Sequence, residues 1–411
     1  MTRARHSTNV QGAAAILCGL TLALSGFAQE PAPFRRGDEL TGRSYSYPNR
    51  AFIHRETYRY RSQADWAWIR RPAGFRTTFG SVASKVFFVQ AECRNVWEFT
   101  PWLDAEMRFL RAEDLDGRYE RFLTGIGISP AGNWRLAALG DIVAEKENID
   151  IHLESEWTAG DRHRLRLAAV AVDAMYLSKS FDGYYHKMPY TFFGSYLGRP
   201  WNRLELHLWA NVNPDLDLEI YECDTRFRYR QTDVGMQGIV PLAAPWSLLF
   251  DGTATRSDRR WNSPEPTGEN GSLARRFHRI GAEFRRESDD ALSRWVGVRH
   301  VSLDESLSDT APGSADVRNE TILHGGVEIP LPRWNALFWP GLYASRVEKN
   351  VGSALDEEDK ADAASGTNIV KLALPLEFAF AGGKTLTLNV TFVRDRQTGF
   401  GGGNIQGVIP F

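Results

Sequence analysis

The chain contains 411 residues, with a formal net charge of −2 and a mean hydropathy of −0.37. A charge so close to zero gives no electrostatic basis for a nucleic-acid partner. After the N-terminal segment no apolar run approaches the roughly 18 residues of a transmembrane helix, which excludes helical membrane spans. No linker rich in Pro, Ser or Gly interrupts the later sequence, so we expect one large structural unit rather than several domains.

The first residues have the organisation of an export signal. Arg3 and Arg5 precede an apolar run over 13–24, and small residues occupy the positions before a cut after Ala28. The run is too short for a membrane anchor. We therefore expect residues 1–28 to be a cleaved signal peptide.

Residues 29–75 form an N-terminal segment that differs from the rest of the chain. Residues 29–50 show no periodicity, which is typical of a flexible tail or of a partial plug inside a barrel. Residues 51–61 could instead form a first strand. The remaining residues, 76–411, are the candidate barrel.

The segment 368–392 carries the clearest pattern of secondary structure. Its large apolar residues occupy alternate positions, while Lys371, Glu377 and other polar or small residues lie between them. This alternation predicts two strands, and Ala381-Gly382-Gly383 predicts the turn of a hairpin. One face is therefore apolar and the other polar. The apolar face consists of Val370, Leu372, Leu374, Leu376, Phe378, Phe380, Leu386, Leu388, Val390 and Phe392.

The same alternation recurs along the chain with two kinds of connection. Short turns such as 131–133 and 159–161 alternate with longer polar connections such as 257–272 and 348–367. Outer-membrane barrels combine short periplasmic turns with long outer loops in this way. The pattern predicts seventeen strands, and 51–61 is the candidate eighteenth because termini on one side require an even number. We expect 16 to 18 strands.

Several local predictions follow from the positions of the strands. The barrel is expected to begin with a strand at 80–93. The stretch 176–200 is long, aromatic and nearly uncharged, which predicts an outer loop that folds inward as a constriction. A turn is predicted at 213–215, and a change of parity within the predicted strand 216–229 indicates a β-bulge near residues 222–225.

The chain ends in "NIQGVIPF", where Ile405, Ile409 and the terminal Phe411 share one parity. Together with the export signal, this ending resembles the Gram-negative outer-membrane β-barrel (porin-like) superfamily. The resemblance implies an all-β fold, with a single antiparallel transmembrane β-barrel in contact with outer-membrane lipid. It also implies passive passage of small hydrophilic solutes rather than an enzymatic activity.

Charged residues on the inward face are the candidate pore lining. If Ile151 and Leu153 face lipid, Glu154 and Glu156 point inward, and the turn at 158–162 is expected to place Glu156 opposite Arg164 and Glu154 opposite Arg166. The 49 basic residues comprise 41 Arg and 8 Lys, which favours anionic permeants. The predicted pore-lining residues are Glu154, Glu156, Arg164, Arg166, Arg279, Arg299, Lys371 and Glu377.

Other functions remain open at this point. A barrel could be a sheath that holds a partner protein such as a multihaem cytochrome, or an embedded hydrolase using a pair such as His300 and Asp304. It could also form a homo-oligomer. No metal-binding, catalytic or cofactor motif is recognised. Cys93 and Cys223 could form one disulfide after export.

Overall fold

The structure is a computed structural model. It describes most of the chain between residues 74 and 410. The described residues are 74–82, 86–114, 117–142, 150–160, 162–171, 184–187, 190–201, 204–220, 225–262, 270–286, 292–308, 314–351, 367–394 and 399–410. The predicted signal peptide, the candidate strand 51–61, Cys223 and Phe411 lie outside them.

Twenty β-segments make up nearly all of the described chain. They are β1 (Gly74–Val82), β2 (Val86–Thr100), β3 (Leu103–Asp114), β4 (Gly117–Ala131), β5 (Trp134–Asp141), β6 (Asp150–Ala159), β7 (His163–Ala171), β8 (Tyr184–Lys187), β9 (Tyr190–Trp201), β10 (Leu204–Ile220), β11 (Thr225–Pro241), β12 (Trp246–Asn262), β13 (Gly271–Arg286), β14 (Ser293–Ser308), β15 (Ser314–Leu331), β16 (Ala336–Phe338), β17 (Gly341–Val351), β18 (Thr367–Phe380), β19 (Lys384–Arg394) and β20 (Phe400–Pro410).

These segments form one closed antiparallel barrel of 18 strands. β8 and β9 pair with β10 in one continuous register, as do β16 and β17 with β15, so each of these pairs is a single interrupted strand. β1 pairs with β2 on one side and with β20 on the other, which closes the barrel. Closure removes the exposed strand edges that an open sheet would present. The all-β, single-barrel prediction is confirmed.

The first strands differ from the sequence prediction. Instead of one strand at 80–93, the chain forms β1 and β2, which pair from Gly74 opposite Arg94 to Val82 opposite Val86. The additional strand β1 occupies the closing position next to β20. The count becomes 18 because β9 is also additional, while the predicted strand 216–229 is divided between β10 and β11. The register pairs even-numbered residues with even-numbered ones, so the inward parity is the same in both strands and the hydrophobic pattern does not separate them.

The middle of the chain corrects three further predictions. The predicted loop 176–200 contains β9, which pairs along its length with β7 and β10, so its second half is wall and not a constriction. The predicted turn 213–215 lies inside β10, where the register with β11 shifts between Asn213 and Leu216. β10 ends at Ile220 and β11 begins opposite it at Thr225, so the change of parity marks a chain reversal between two strands and not a bulge within one.

The connections differ between the two ends of the barrel. Tight turns at 132–133, 242–245, 332–335 and 381–383 all lie at one end, which is also where β1 begins and β20 stops. We call it the short-turn end, and the opposite end, which includes the 15-residue interval between β17 and β18, the long-loop end. Among the described residues, no helix is long and apolar enough to cross a membrane.

The outer surface of the barrel is apolar and carries a ring of tryptophans. Large apolar side chains such as Leu153, Ile280 and Leu323 are about 60% exposed on this surface. Every exposed tryptophan among the described residues lies close to the short-turn end. Aromatic girdles of this kind mark the membrane–water interface of outer-membrane barrels. The seven tryptophans are Trp97, Trp102, Trp134, Trp157, Trp201, Trp246 and Trp334.

Candidate functional site

The inward face of β6 and β7 carries the charges that the sequence pattern placed there, in a different register. Ile151, Leu153 and Trp157 are exposed on the outer surface, while Glu154 is buried on the inner one. Glu156 lies opposite Arg166 and not Arg164, because the turn centre is one residue later than expected. The slip amounts to two residues in pairing, so every side chain keeps its face.

The two expected ion pairs form across this hairpin despite the slip. Arg164 Nη2 lies 2.7 Å from Glu156 Oε1, and Arg166 Nη2 lies 3.1 Å from Glu154 Oε1. Both pairs are diagonal: each glutamate contacts the arginine that lies two residues before its directly opposite neighbour on β7. Diagonal neighbours in a sheet are about 7–8 Å apart at Cα, a distance that an arginine side chain spans easily.

Glu106 on β3 is the centre of a larger array that the sequence analysis did not identify. Its carboxylate is completely buried, and it accepts hydrogen bonds from Arg94 Nε at 2.6 Å and Arg108 Nε at 2.5 Å. Arg135 Nη1 on β5 lies 2.8 Å from the other carboxylate oxygen. Three arginines from three strands therefore converge on one carboxylate.

Arg108 joins Glu106 to the hairpin of β6 and β7. Its Nη1 and Nη2 donate to the two carboxylate oxygens of Glu154 at 2.6 and 2.7 Å, in a bidentate arrangement. Such pairs fix the geometry of both side chains as well as adding energy. We call the set of nine neighbouring charged residues on β2 to β7 the arginine array. It consists of Arg94, Asp104, Glu106, Arg108, Arg135, Glu154, Glu156, Arg164 and Arg166.

Gly127 on β4 allows one of these pairs to cross an intervening strand. Arg135 on β5 donates through Nε to Asp104 on β3 at 2.8 Å, although β4 lies between them. Gly127 is the β4 residue directly opposite Asp104, and a Cβ there would lie 2.5 Å from Asp104 Oδ1. Strands two apart are separated by about 10 Å, so the pair requires a residue without a side chain beneath it.

The same arrangement recurs on β12 to β14. Asp251 lies opposite Gly281, which in turn lies opposite Arg299. Arg299 Nη2 reaches Asp251 Oδ1 at 3.1 Å across this glycine, and a Cβ on Gly281 would lie 2.6 Å from that oxygen. Arg279 adds a second contact to Asp251 at 3.3 Å. The predicted residues Arg279 and Arg299 thus share one carboxylate.

A third charged group lies beside the second. Glu283 on β13 accepts a hydrogen bond from Arg285 Nη2 at 2.9 Å and lies 3.8 Å from His324 Nδ1 on β15. Gly297 on β14 lies between Glu283 and His324 in the register. Arg285 also lies 3.7 Å from Glu328. In the first two groups an ion pair therefore crosses a glycine, and in the third the contact between Glu283 and His324 crosses Gly297 in the same way.

Lys371 and Glu377 lie in a different environment. Lys371 is 1% exposed, and its Nζ lies 5.9 Å from the centroid of the Tyr343 ring. Tyr343 stacks on His324 at 5.8 Å and belongs to a buried apolar cluster on β14 to β19. We call this cluster the aromatic wall; it consists of Trp295, Ile322, Trp339, Tyr343, Val347, Ile369, Ala373 and Val393. Glu377 accepts a weak hydrogen bond from Thr387 at 3.4 Å.

The residues that the sequence analysis missed carry a detectable signal. Asp104, Glu106 and Arg108 alternate with Ala105, Met107 and Phe109, so one face of β3 is charged in the same way as β6. Their partners were not detectable, because contacts across two strands depend on barrel closure and register. The pair His300 and Asp304 shares the parity of the exposed Val296 and Val298, so it lies on the outer face, away from the inner charges.

The closed sheet has an apolar outer surface, a tryptophan girdle at one end and a charged inner wall. A closed antiparallel barrel with an apolar outer face, an aromatic girdle and a polar inner wall is the general pattern of outer-membrane barrels. No family model and no curated protein matches the sequence.

Several solved structures are similar in fold. One is OccAB3 from Acinetobacter baumannii, with 8% identity and a TM-score of 0.44 over 82% of this chain and 97% of that one. The outer membrane protein OprD from Pseudomonas aeruginosa has 11% identity and a TM-score of 0.40, over 82% and 91%. OccK5 (OpdH) from the same organism has 10% identity and a TM-score of 0.41, over 82% and 97%. At these identities the likeness concerns the course of the backbone and not any individual side chain.

Proposed function

We propose that the protein is a passive channel of the outer membrane that admits small hydrophilic solutes. The observation that carries this proposal is the inner wall, on which arginines and carboxylates form ion-pair groups on β2 to β7 and on β12 to β15. Paired charges keep a surface wettable, and the lumen of an outer-membrane channel is polar for this reason. The eight predicted pore-lining residues are proposed to contribute to this lining.

The location and orientation follow from the outer surface. The exposed apolar side chains fit contact with acyl chains, and the tryptophan girdle fits one membrane interface. We assign the short-turn end to the periplasm and the long-loop end to the exterior, as in other outer-membrane barrels. Export through the signal peptide at residues 1–28 is part of the same proposal.

The inner charges favour a channel over a protein sheath. A lumen that encloses a partner protein is expected to present small side chains and few ion-pair ladders. The arginine array instead places nine charged side chains on five of the six strands from β2 to β7. A hydrolase built on His300 and Asp304 is not supported either, because both lie on the outer face.

A modest preference for anions is the finer part of the proposal. The arginine array contains five arginines and four carboxylates, and the group around Asp251 contains two arginines and one carboxylate. The group around Arg285 has the opposite excess, since Glu283 and Glu328 share that arginine. Rings and clusters of charge tune selectivity in pores, and here the local excesses are small.

Planar bilayer recordings with the purified, folded protein test this function. We expect discrete conductance steps and, under a KCl gradient, a reversal potential on the anion-selective side. The variant Arg279→Gln with Arg299→Gln leaves Asp251 without its two partners and should shift the reversal potential towards cations. Arg346→Gln, on the outer surface, is the matched control and should not. A folded protein that gave no conductance steps would show that the open-channel proposal is wrong.

Membrane contact is tested separately with spin labels. Labels at Leu372 and Leu374, on the outer face of β18, should be accessible to oxygen and protected from a water-soluble nickel reagent. A label at Ala373, on the inner face, is the control and should not show the lipid-type response. Equal responses at all three positions would contradict the assignment of the outer face to lipid.

A further inference from the structure

The outer surface carries a group of arginines at the long-loop end of β11, β12 and β13. We call it the outer arginine patch; it consists of Arg228, Arg230, Arg256, Arg260 and Arg276, all of them exposed. The side chain of Arg256 is 66% exposed. All five residues are even-numbered, and the register pairs even with even residues across β11, β12 and β13. The inward residues Asp251 and Arg279 are odd-numbered, so the five arginines point outward.

The register places like charges directly opposite each other within this patch. Arg228 pairs with Arg260 between β11 and β12, and Arg256 pairs with Arg276 between β12 and β13. Like charges in directly opposed positions destabilise a sheet, and two such pairs lie on three neighbouring strands. An anion between the paired guanidinium groups would remove this repulsion.

The neighbouring carboxylates offset only part of the charge. Asp258 lies opposite Arg230 and forms an ion pair with Arg256 at 3.1 Å. Asp304 lies opposite Arg276. Among the side chains that the structure describes here, five arginines therefore lie beside two carboxylates. No ion pair joins Arg230, Arg260 or Arg276 to a residue within the described part of the chain.

The height of the patch matches one edge of the apolar band. Trp246 of the tryptophan girdle and Arg256 lie ten residues apart on β12. At about 3.3 Å per residue and a strand tilt of about 40°, ten residues rise about 25 Å, which is the height of the apolar band of an outer-membrane barrel. The outward positions between them are Leu248, Phe250, Gly252 and Ala254. Arg256 and Arg276 therefore lie where lipid headgroups begin on the far side of the membrane.

We propose that the outer arginine patch binds the phosphate groups of a phosphorylated glycolipid in the outer leaflet. This inference rests on the proposed membrane location and orientation. Arginine suits the ligand because its planar, always charged guanidinium group binds phosphate oxygens through two parallel hydrogen bonds. Arg256 and Arg276 lie nearest the apolar band, and Arg228 and Arg260 lie further towards the long-loop end. The patch therefore fits a headgroup that carries anions at two distances from the band.

Native mass spectrometry of the full-length barrel in detergent tests the proposal, with bisphosphorylated lipid A as the probe. The test variant is Arg256→Gln with Arg276→Gln. Each basic group near an anionic surface contributes about 1 kcal/mol, or about fivefold in affinity, so the double variant should bind lipid A about 25-fold more weakly. With dephosphorylated lipid A, wild type and variant should bind equally.

The chain offers a matched control at the opposite edge of the band. Arg286 and Arg294 are also exposed and directly opposed, but they lie at the short-turn end. Arg286→Gln with Arg294→Gln should keep wild-type affinity for lipid A. Equal losses in both double variants would overturn the proposal. Competition by inorganic phosphate at concentrations similar to lipid A would also overturn it, because the site would then be one for a free anion.

Thermal stability gives a second, independent measurement. Without lipid, the Arg256→Gln and Arg276→Gln variant should unfold at the same temperature as wild type or higher, because the repulsion between the two arginines is gone and the exposed pair of Arg256 with Asp258 contributes little. Added lipid A should stabilise wild type and not the variant. Equal stabilisation of both would contradict the inference. Conductance distinguishes the two proposals: a barrel that conducts but shows no phosphate-dependent lipid binding retains the channel function and loses this site.

Discussion

The two sides of the inner wall are built from different interactions. On β2 to β7 the inward side chains form the arginine array, in which Glu106 alone contacts three arginines. On β14 to β19 eight buried side chains form the aromatic wall, where Trp339 and Ile322 are almost completely buried, and charged side chains such as Arg299 and Lys371 lie beside them on the same strands. About half of the barrel's 18 strands separate the centres of these two regions, so they lie on roughly opposite sides.

This difference teaches that ion pairs can stabilise one side of a lumen while the packing of apolar side chains stabilises the other. Ion pairs require each partner at a defined distance, so the arginine array is sensitive to the loss of a single charge. Dispersion contacts require complementary volume, so the aromatic wall is sensitive to a change of side-chain size. In the proposed channel, a solute would pass between a charged and an aromatic surface.

Removal of the central carboxylate is expected to have the largest effect on the charged side. Glu106→Gln leaves Arg94, Arg108 and Arg135 around a neutral group, and the loss of one partner from a buried ion pair costs about 3–5 kcal/mol. Urea unfolding in detergent, followed by tryptophan fluorescence, measures this change. Glu156→Gln is the control, with an expected cost of about 1 kcal/mol or less. Equal costs would mean that Glu106 is not the centre of the array.

The matching test of the aromatic side removes Trp339. Trp339→Ala should lower the free energy of unfolding by about 3–5 kcal/mol through the cavity that it leaves, and the reversal potential should not change because no charge is altered. Trp334→Ala is the control, since Trp334 is 67% exposed on the outer rim. If Trp339→Ala changed ion selectivity as much as a charge substitution does, the contrast between the two sides would be wrong.

A methyl group at Gly127 tests how the array crosses strands. Gly127→Ala places a Cβ between Asp104 and Arg135, which should break their pair and cost about 1–3 kcal/mol by overpacking. Gly132→Ala, in a turn where a Cβ would meet no atom within 4 Å, should change stability by less than about 0.5 kcal/mol. The same urea titration compares them. Equal stability of both variants would show that the glycine is not required.

The smallest effect is expected at the margin of the array. Arg164→Gln removes one diagonal pair with Glu156 and should cost about 0.2–1 kcal/mol. It should also move the reversal potential under a KCl gradient towards cations, because one lumenal positive charge is lost. Arg346→Gln removes an outward-facing arginine and should leave the reversal potential unchanged. A shift of equal size in both variants would contradict the assignment of Arg164 to the pore lining.

Much of the fold was predictable because alternation is a local property. The face of Leu372 and that of Lys371 followed from parity alone, as did the inward position of Glu154. The register of β6 and β7 did not, since it depends on where the turn is centred, and the turn centre shifted by one residue. The ion pairs survived this shift because arginine is long enough to reach a diagonal partner.

The sequence by itself determined that odd and even side chains of these strands meet different surroundings, and that turns cluster at one end. It did so because a strand's side chains alternate by geometry, whatever its neighbours are. Only the tertiary structure decided that Gly74–Val82 closes the barrel, that β9 is part of the wall, and that Asp251 meets Arg299 above Gly281. Those facts depend on which strands become neighbours and in which register, and no local pattern encodes a contact between residues two strands apart.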